Sequence, residues 1–406
     1  MDLARPAAAP WNDPATWWPS LDEATAALDP AFAVVAQDAL AANAHDLLDR
    51  AAGLPIRVAS KSVRVRGVLD AVLALPGYRG VLAYTLAEAV WLATTGDERY
   101  ADIVVGYPTA DRTAIAALLA DETAAARVTI MVDDPAQLDL VDAVAAPGTR
   151  PEVRVALELD SSFRAPLLGH VGVRRSPLHE PAQLRALAEH VAARPGFRLV
   201  GVMGYEAQIA GVGNAHSPVI RWMQGRSGAE LAVRRAEAIR LVREVAELEF
   251  VNGGGTGSIE STHADASVTE VAAGSGLLGP HLFDHYRHFR PAPAASFALS
   301  VVRRPAPGIA TLLGGGWIAS GPSGDDRLPL PVWPEGLSYL PREAAGEVQT
   351  PLAGAAADGL RVGDRVWLRH TKAGELAEHV DRVHVVAGGA IVGEEPTYRG
   401  EGKTFL

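Results

Sequence analysis

The chain has 406 residues, a mass of 42.6 kDa and a formal net charge of −11. With hydrophobic residues at 48% and charged residues at 21%, it builds a large core, which excludes a disordered chain and any need for disulfide staples. Cysteine is absent, which removes thiolate nucleophiles, iron–sulfur clusters and cysteine-ligated zinc, and an acidic chain without a basic tract argues against nucleic-acid or membrane partners.

Residues 1–30 carry Trp11, Trp17 and Trp18 and fit neither of the patterns that follow. They are expected to form an arm packed on a later domain or on a partner subunit. The first residues lack the charged-then-apolar layout of a leader, and no apolar run reaches the roughly 18 residues of a membrane span. A cytoplasmic protein is expected.

Over residues 31–290, short β-branched apolar runs alternate with stretches rich in Ala, Leu, Glu and Arg. The runs are Ile56–Ser60, Gly80–Tyr84, Asp102–Gly106, Val128–Asp133, Val153–Asp160, Phe197–Gly204, Glu249–Gly253 and Val268–Gly274. Continuous apolar strands of this length suit a sheet buried on both faces. Helices are predicted over Thr85–Thr95, Thr109–Asp121, Pro135–Ala145, Pro181–Ala193 and Gly228–Leu248, with Asp134-Pro135 and Glu180-Pro181 as entries. Eight such strands with helices between them predict a (β/α)8 TIM-type barrel; an open doubly wound sheet usually has fewer. Residues 291–406 change texture to short β-like runs punctuated by Gly and Pro, predicting a C-terminal all-β domain.

Barrel enzymes carry their reactive groups at the C-terminal ends of the strands. Lys61 follows the first run directly; an amine desolvated there becomes a nucleophile, with Arg64 and Arg66 nearby in sequence. The seventh run leads into Asn252-Gly253-Gly254-Gly255-Thr256-Gly257 and the eighth into Ala273-Gly274-Ser275-Gly276. Glycine-rich turns after strands seven and eight are where barrels commonly hold a phosphate, through backbone N–H groups and here the hydroxyls of Thr256 and Ser275. A strand-end lysine with a phosphate cup suggests pyridoxal 5'-phosphate, and Tyr205 after the sixth run is placed to contact it.

In the order of these motifs the chain resembles the fold-type III pyridoxal-phosphate enzymes, the alanine-racemase-like barrels. Within them it is most similar to the D-threonine aldolase and D-serine dehydratase branch, including chains described as amino acid deaminase/aldolase. The resemblance implies that Lys61 holds the cofactor covalently as its Schiff-base lysine. It also implies that Tyr205, Gly255, Thr256, Ser275 and Gly276 hold the phosphate, and that an arginine after the fifth strand lies near the ring. Arg174 is assigned that place, with Arg164 and Arg175 as alternatives. A homodimer and a small amino-acid substrate are further implications.

The same branch carries a His-x-Cys or His-x-Asp metal site late in the chain. Here His370 is followed by Thr371 and then Lys372 in the second ligand position, and an ammonium repels a dication, so no divalent metal is expected there. Glu375, Glu378 and His379 are the other candidate ligands. His370 is expected to act as acid or base at a substrate hydroxyl and Lys372 to polarise it. His281, His285 and His288 are read as part of a connector, and Asp325-Asp326 as a solvated turn. The expected activity is that of a lyase on a β-hydroxy, D-configured amino acid, by Cα–Cβ cleavage or by dehydration with deamination. The alternatives are a racemase, which needs a tyrosine base such as Tyr286, Tyr339 or Tyr398, and a non-catalytic cofactor-binding protein.

Overall fold

In the computed structural model, which describes residues 1–165, 169–372 and 374–406, the chain divides into two compact units. One comprises residues 47–61, 73–274 and 405–406; the other comprises residues 1–46, 62–72 and 275–404. In chain order the strands are β1 (Phe32–Ala36), β2 (Ile56–Ala59), β3 (Tyr78–Ala83), β4 (Ile103–Val105), β5 (Val128–Val132), β6 (Val153–Glu158), β7 (Phe163–Ala165), β8 (Gly169–Val171), β9 (Phe197–Gly204), β10 (Phe250–Gly253) and β11 (Glu270–Ala273). They continue with β12 (Ala295–Ala306), β13 (Ile309–Leu313), β14 (Leu330–Trp333), β15 (Ser338–Tyr339), β16 (Gln349–Ala353), β17 (Arg365–Arg369), β18 (Arg382–Ala387) and β19 (Ala390–Pro396).

The first unit is a closed parallel barrel in the order β10-β11-β2-β3-β4-β5-β6-β9. Each strand corresponds to one of the eight apolar runs. Val104, Met131, Ala156, Val200, Met203 and Phe250 pack together inside it, with Leu82 against them. Gly201 exists for this packing, because a Cβ there would lie 2.3 Å from the Phe250 ring. Arg57 of β2 is also internal, bonding Glu270 of β11 at 2.7 Å and Asp102 at 2.9 Å. Burial alone would depress its pKa; the two carboxylates outweigh that and raise it.

Helices fall where the caps predict them. Asp134 accepts from Ala136 N–H and Gln137 reaches back to Asp134 N–H at the start of Pro135–Val144; Gln183 does the same for Glu180 before Pro181–Ala193. The helix predicted from Gly228 begins at Pro218 instead, where Ser217 accepts from Ile220 N–H and Pro218 occupies the first turn.

The second unit is a sheet in the order β15-β16-β13-β12-β1-β18-β19, with β17 pairing β12 and β14. Its make-up differs from the expected 31–290 and 291–406 division. Phe32–Ala36 pairs antiparallel with β12 and parallel with β18, so residues 31–46 group with the sheet, as do residues 275–290. Five buried apolar residues satisfy either sheet, and only the hydrogen-bonding partner decides. The N-terminal arm packs on this sheet within the same chain. Trp18 lies 6.5 Å from Trp367, whose indole N–H donates to Asp22, and Arg365 donates to the carbonyls of Asp22 and Thr25.

Candidate active site

The C-terminal strand ends of the barrel gather the chemistry. β11 pairs with β2 in the register Ala273↔Val58, which brings the turn after β11 beside the strand end that carries Lys61. A Cβ on Gly274 would sit 2.3 Å from the Ala59 carbonyl oxygen, so only glycine permits this approach. β10 is the next strand round, so both glycine-rich turns lie on the same side of Lys61 in the barrel order.

Lys61 lies in the single turn Ser60–Ser62 and is half-buried. Its ammonium donates to the Tyr107 hydroxyl at 3.1 Å. Both line a cavity of about 620 Å³ together with Tyr84, Asp111, Arg175 and Phe405, within the range of small-molecule sites. The Arg175 guanidinium lies 5.7 Å from the Tyr107 ring centre and 5.5 Å from that of Tyr205. Desolvation pushes the Tyr205 phenol up to about 12, against the pull of Arg175.

Arg175, not Arg174, is the arginine that the fold brings here. The Ser176 hydroxyl donates to the Glu158 carbonyl at the last residue of β6, which pins the neighbouring Arg175 over the strand ends. Both arginines are exposed, but Arg174 has no hydrogen bond, ion pair or ring contact among the described residues. Arg164 pairs instead with Asp160 at 2.9 Å. Buried Arg234 holds the loop, donating to the carbonyls of Asp160, Ser162 and His179. Glu158 is buried, and desolvation with the nearby charge of Asp133 pushes it up to about 7 despite Arg175.

The turn after β10 is braced differently from the expected amide cup. Gly254 N–H donates to Glu206 at 2.6 Å and Gly255 N–H to the Ser258 hydroxyl at 3.1 Å, so these two amides are already satisfied inside the protein. Glu206 is held by Arg235, which also bonds Asp265, and the Thr256 carbonyl accepts from Arg50. Gly255 packs against Tyr205, with a Cβ position 3.1 Å from its ring. The turn is thus a rigid wall beside Tyr205, with Thr256 buried. Ser275 and Gly276 open the short helix Ser275–Leu278 that follows β11, and group with the second unit.

His370, Lys372 and the neighbouring candidates belong to the β unit. His370 is buried, and neither ring nitrogen has a well-formed hydrogen bond among the described residues. Desolvation, then the charges of Arg369 and His281, lower its pKa to about 3, with the Ala295 backbone opposing weakly. A ring so placed is a neutral imidazole near neutrality. The Lys372 ammonium donates to the Ser320 carbonyl at 3.4 Å. Glu375 accepts from Ser320 N–H, Glu378 pairs with Arg64, and His379 stacks on Trp317 at 4.8 Å, so these three do not converge. No group of three or more His, Asp or Glu arranged for a metal occurs among the described residues. His281 bonds the Leu328 carbonyl, and Tyr286 packs with Phe283 and Phe289. Tyr339 donates to the Pro329 carbonyl and Tyr398 is buried.

Sequence reasoning missed Tyr107, Glu206 and Phe405. Tyr107 follows Asp102–Gly106 directly, and its position after a barrel strand was the available signal; Phe405 gave none.

A closed parallel barrel with an amine and two glycine turns at its strand ends, joined in one chain to a unit built on a β-sheet, defines an alanine-racemase-like architecture. The chain belongs to the family described as alanine racemase, N-terminal domain, which matches residues 35–281. Members of this family are pyridoxal-phosphate enzymes. Among solved structures the chain is similar to D-threonine aldolase from Filomicrobium marinum, at 21% identity and a TM-score of 0.77, covering 92% of this chain and 95% of that one. It is similar to D-threo-3-hydroxyaspartate dehydratase from Delftia sp. HT23, at 19% identity and 0.71, covering 91% and 97%. It is also similar to alanine racemase from Bacillus anthracis, at 16% identity and 0.62, covering 92% and 99%. No curated protein sequence matches the chain. No helix among the described residues is long and apolar enough to cross a membrane.

Proposed function

We propose that this chain is a pyridoxal-phosphate-dependent lyase acting on a β-hydroxy, D-configured amino acid, by Cα–Cβ cleavage or by dehydration with deamination. One observation carries the reading: Lys61 stands at a barrel strand end, bonded to Tyr107, in a cavity shared with Arg175. The residues present fit the cofactor. The Lys61 amine and the Arg175 guanidinium line one cavity of about 620 Å³, which suits an anionic aldehyde. The order of structural similarity, with the aldolase and the dehydratase at higher TM-scores than the racemase, supports a lyase over a racemase.

When bound, the cofactor's pyridine ring stabilises negative charge at the substrate α-carbon. Lys61 would hold the cofactor covalently. Tyr205, Gly255 and Thr256 would face its phosphate, and Ser275 and Gly276, next in the chain after Gly274, keep the same assigned role. Arg175 takes the ring-side place first given to Arg174. The Tyr107 hydroxyl orients the Lys61 amine and offers it a proton partner. Arg234, Glu206 and Arg235 keep the surrounding loops rigid. No step is assigned to His370 or Lys372, and a homodimer in the cytoplasm completes the proposal.

Borohydride reduction of the purified protein followed by peptide mass spectrometry tests the attachment: the pyridoxyl adduct is expected on Lys61 and lost in Lys61→Ala. Aldehyde and ammonia release from D-threonine and other β-hydroxy amino acids, measured separately, distinguishes cleavage from dehydration. Optical inversion without either product would replace the lyase with a racemase.

A further inference from the structure

The cavity that holds Lys61 has two unlike ends. Its cations gather around Tyr107: the Lys61 ammonium at 3.1 Å from the hydroxyl and the Arg175 guanidinium over the ring. Its acidic side chain, Asp111, is committed as the N-cap of the helix Arg112–Ala120, accepting from Thr113 and Ala114 N–H. The remainder is uncharged in its side chains and mostly apolar, with Tyr84, Leu86 and Phe405 in the lining beside the hydroxyls of Thr85 and Thr109. Phe405 is held there by aromatic packing, edge-on to Tyr84 at 6.3 Å and tilted on Trp91 at 5.5 Å. Although the residues before it group with the β unit, Phe405 and Leu406 group with the barrel. A ring drawn from so far along the chain and fixed by two others is a wall with a defined shape, not a passing contact.

We propose that Phe405, braced by Tyr84 and Trp91, is a specificity-determining residue that selects substrates with an uncharged, bulky apolar side chain. This rests on the lyase reading of the same cavity. With Lys61 and Arg175 both assigned to the cofactor, the wall holds no cation for a second carboxylate. An acidic side chain would be desolvated against Tyr84 and Phe405 without a partner. An aromatic or branched side chain gains by covering those rings.

The holoenzyme and its Phe405→Ala and Phe405→Leu variants are assayed with the D-isomers of 3-phenylserine, threonine and 3-hydroxyaspartate, with melting temperature as the check on folding. Wild type is expected to show kcat/KM falling in that order. Phe405→Ala is expected to lower the phenylserine-to-threonine ratio about tenfold, the range for lost apolar contact in a pocket, mainly through KM. Phe405→Leu is expected to restore most of the ratio. A wild-type preference for hydroxyaspartate, or a ratio unmoved in Phe405→Ala, overturns the proposal. Binding is read apart from turnover by tryptophan fluorescence, with Trp91 as reporter and Trp91→Phe as its control. If no compound is turned over, the lyase reading fails by itself. The wall then stands if Phe405→Ala weakens phenylserine binding about tenfold, and falls if binding is unchanged.

Discussion

The Lys61 ammonium and the Tyr107 hydroxyl, 3.1 Å apart, are presented by different strands of the barrel, Lys61 following β2 and Tyr107 following β4. Their meeting follows from closure of the sheet: the strand ends curve toward one axis, so side chains 46 positions apart share one cavity. Replacing Tyr107 with Phe keeps the ring beneath Arg175 and removes the hydroxyl. A hydrogen bond to a charged group is worth roughly 1.5–3 kcal/mol, so Tyr107→Phe is expected to slow turnover roughly tenfold or more while the cofactor stays bound. Steady-state kinetics beside the visible cofactor absorbance checks this; loss of the cofactor band itself would assign Tyr107 to binding.

Arg174 and Arg175 are adjacent in sequence and differ in surroundings, since only Arg175 lies over Tyr107 and Tyr205. Arg175→Ala is expected to weaken cofactor binding by about tenfold or more, the scale of a lost charge-assisted contact. Arg174→Ala is expected to leave it within twofold, roughly the scale of a surface change. Cofactor titration of the apoenzymes gives both numbers, and the reverse ranking would return the assignment to Arg174.

Gly274 meets backbone, not a flexible side chain: the Ala59 carbonyl oxygen lies 2.3 Å from where a Cβ would be. Gly274→Ala is therefore expected to displace the end of β2 that carries Lys61. A cost of about 1–3 kcal/mol in stability follows from overpacking, accompanied by slower formation of the lysine adduct. Thermal denaturation and the reduced-adduct yield measure the two effects. A full adduct yield with unchanged melting temperature would show that the strand end tolerates the shift.

Glu158 is buried with an elevated pKa of about 7 against an ordinary 4.5. The folded state binds this proton more tightly than the unfolded state does. Its contribution to stability is therefore present below about pH 4.5 and is lost as pH rises through 7. The size is on the order of 3 kcal/mol. Glu158→Gln removes the titration, so its melting temperature is expected to fall less than that of wild type between pH 5 and pH 8. Parallel curves for the two proteins would show that Glu158 ionises normally.

Much of the fold is legible in the chain because a strand buried on both faces needs an unbroken apolar run, and the runs from Ile56 to Gly274 meet that need one after another. The caps at Asp134 and Glu180 are legible for a similar reason: they act on residues two or three places away. Phe32–Ala36 shows the limit. It is as apolar as any barrel strand, yet it pairs with β12 and β18, more than 250 positions distant. Which amides of the GGGTG turn are already taken is equally hidden, since Glu206 and Ser258 are chosen by how the loop closes. The same holds for the burial of His370.

Local chemistry thus came from the order of residues alone: alternation of strand and helix, glycine at the turns after β10 and β11, and a lysine in the turn after β2. These are short-range properties, set by backbone freedom and by the side-chain period. Tertiary structure decided which arginine faces the cavity, where the two units divide, and that Phe405 walls the pocket. Each of those depends on groups far apart in sequence being brought within a few ångströms, and no pattern of neighbours along the chain encodes that distance.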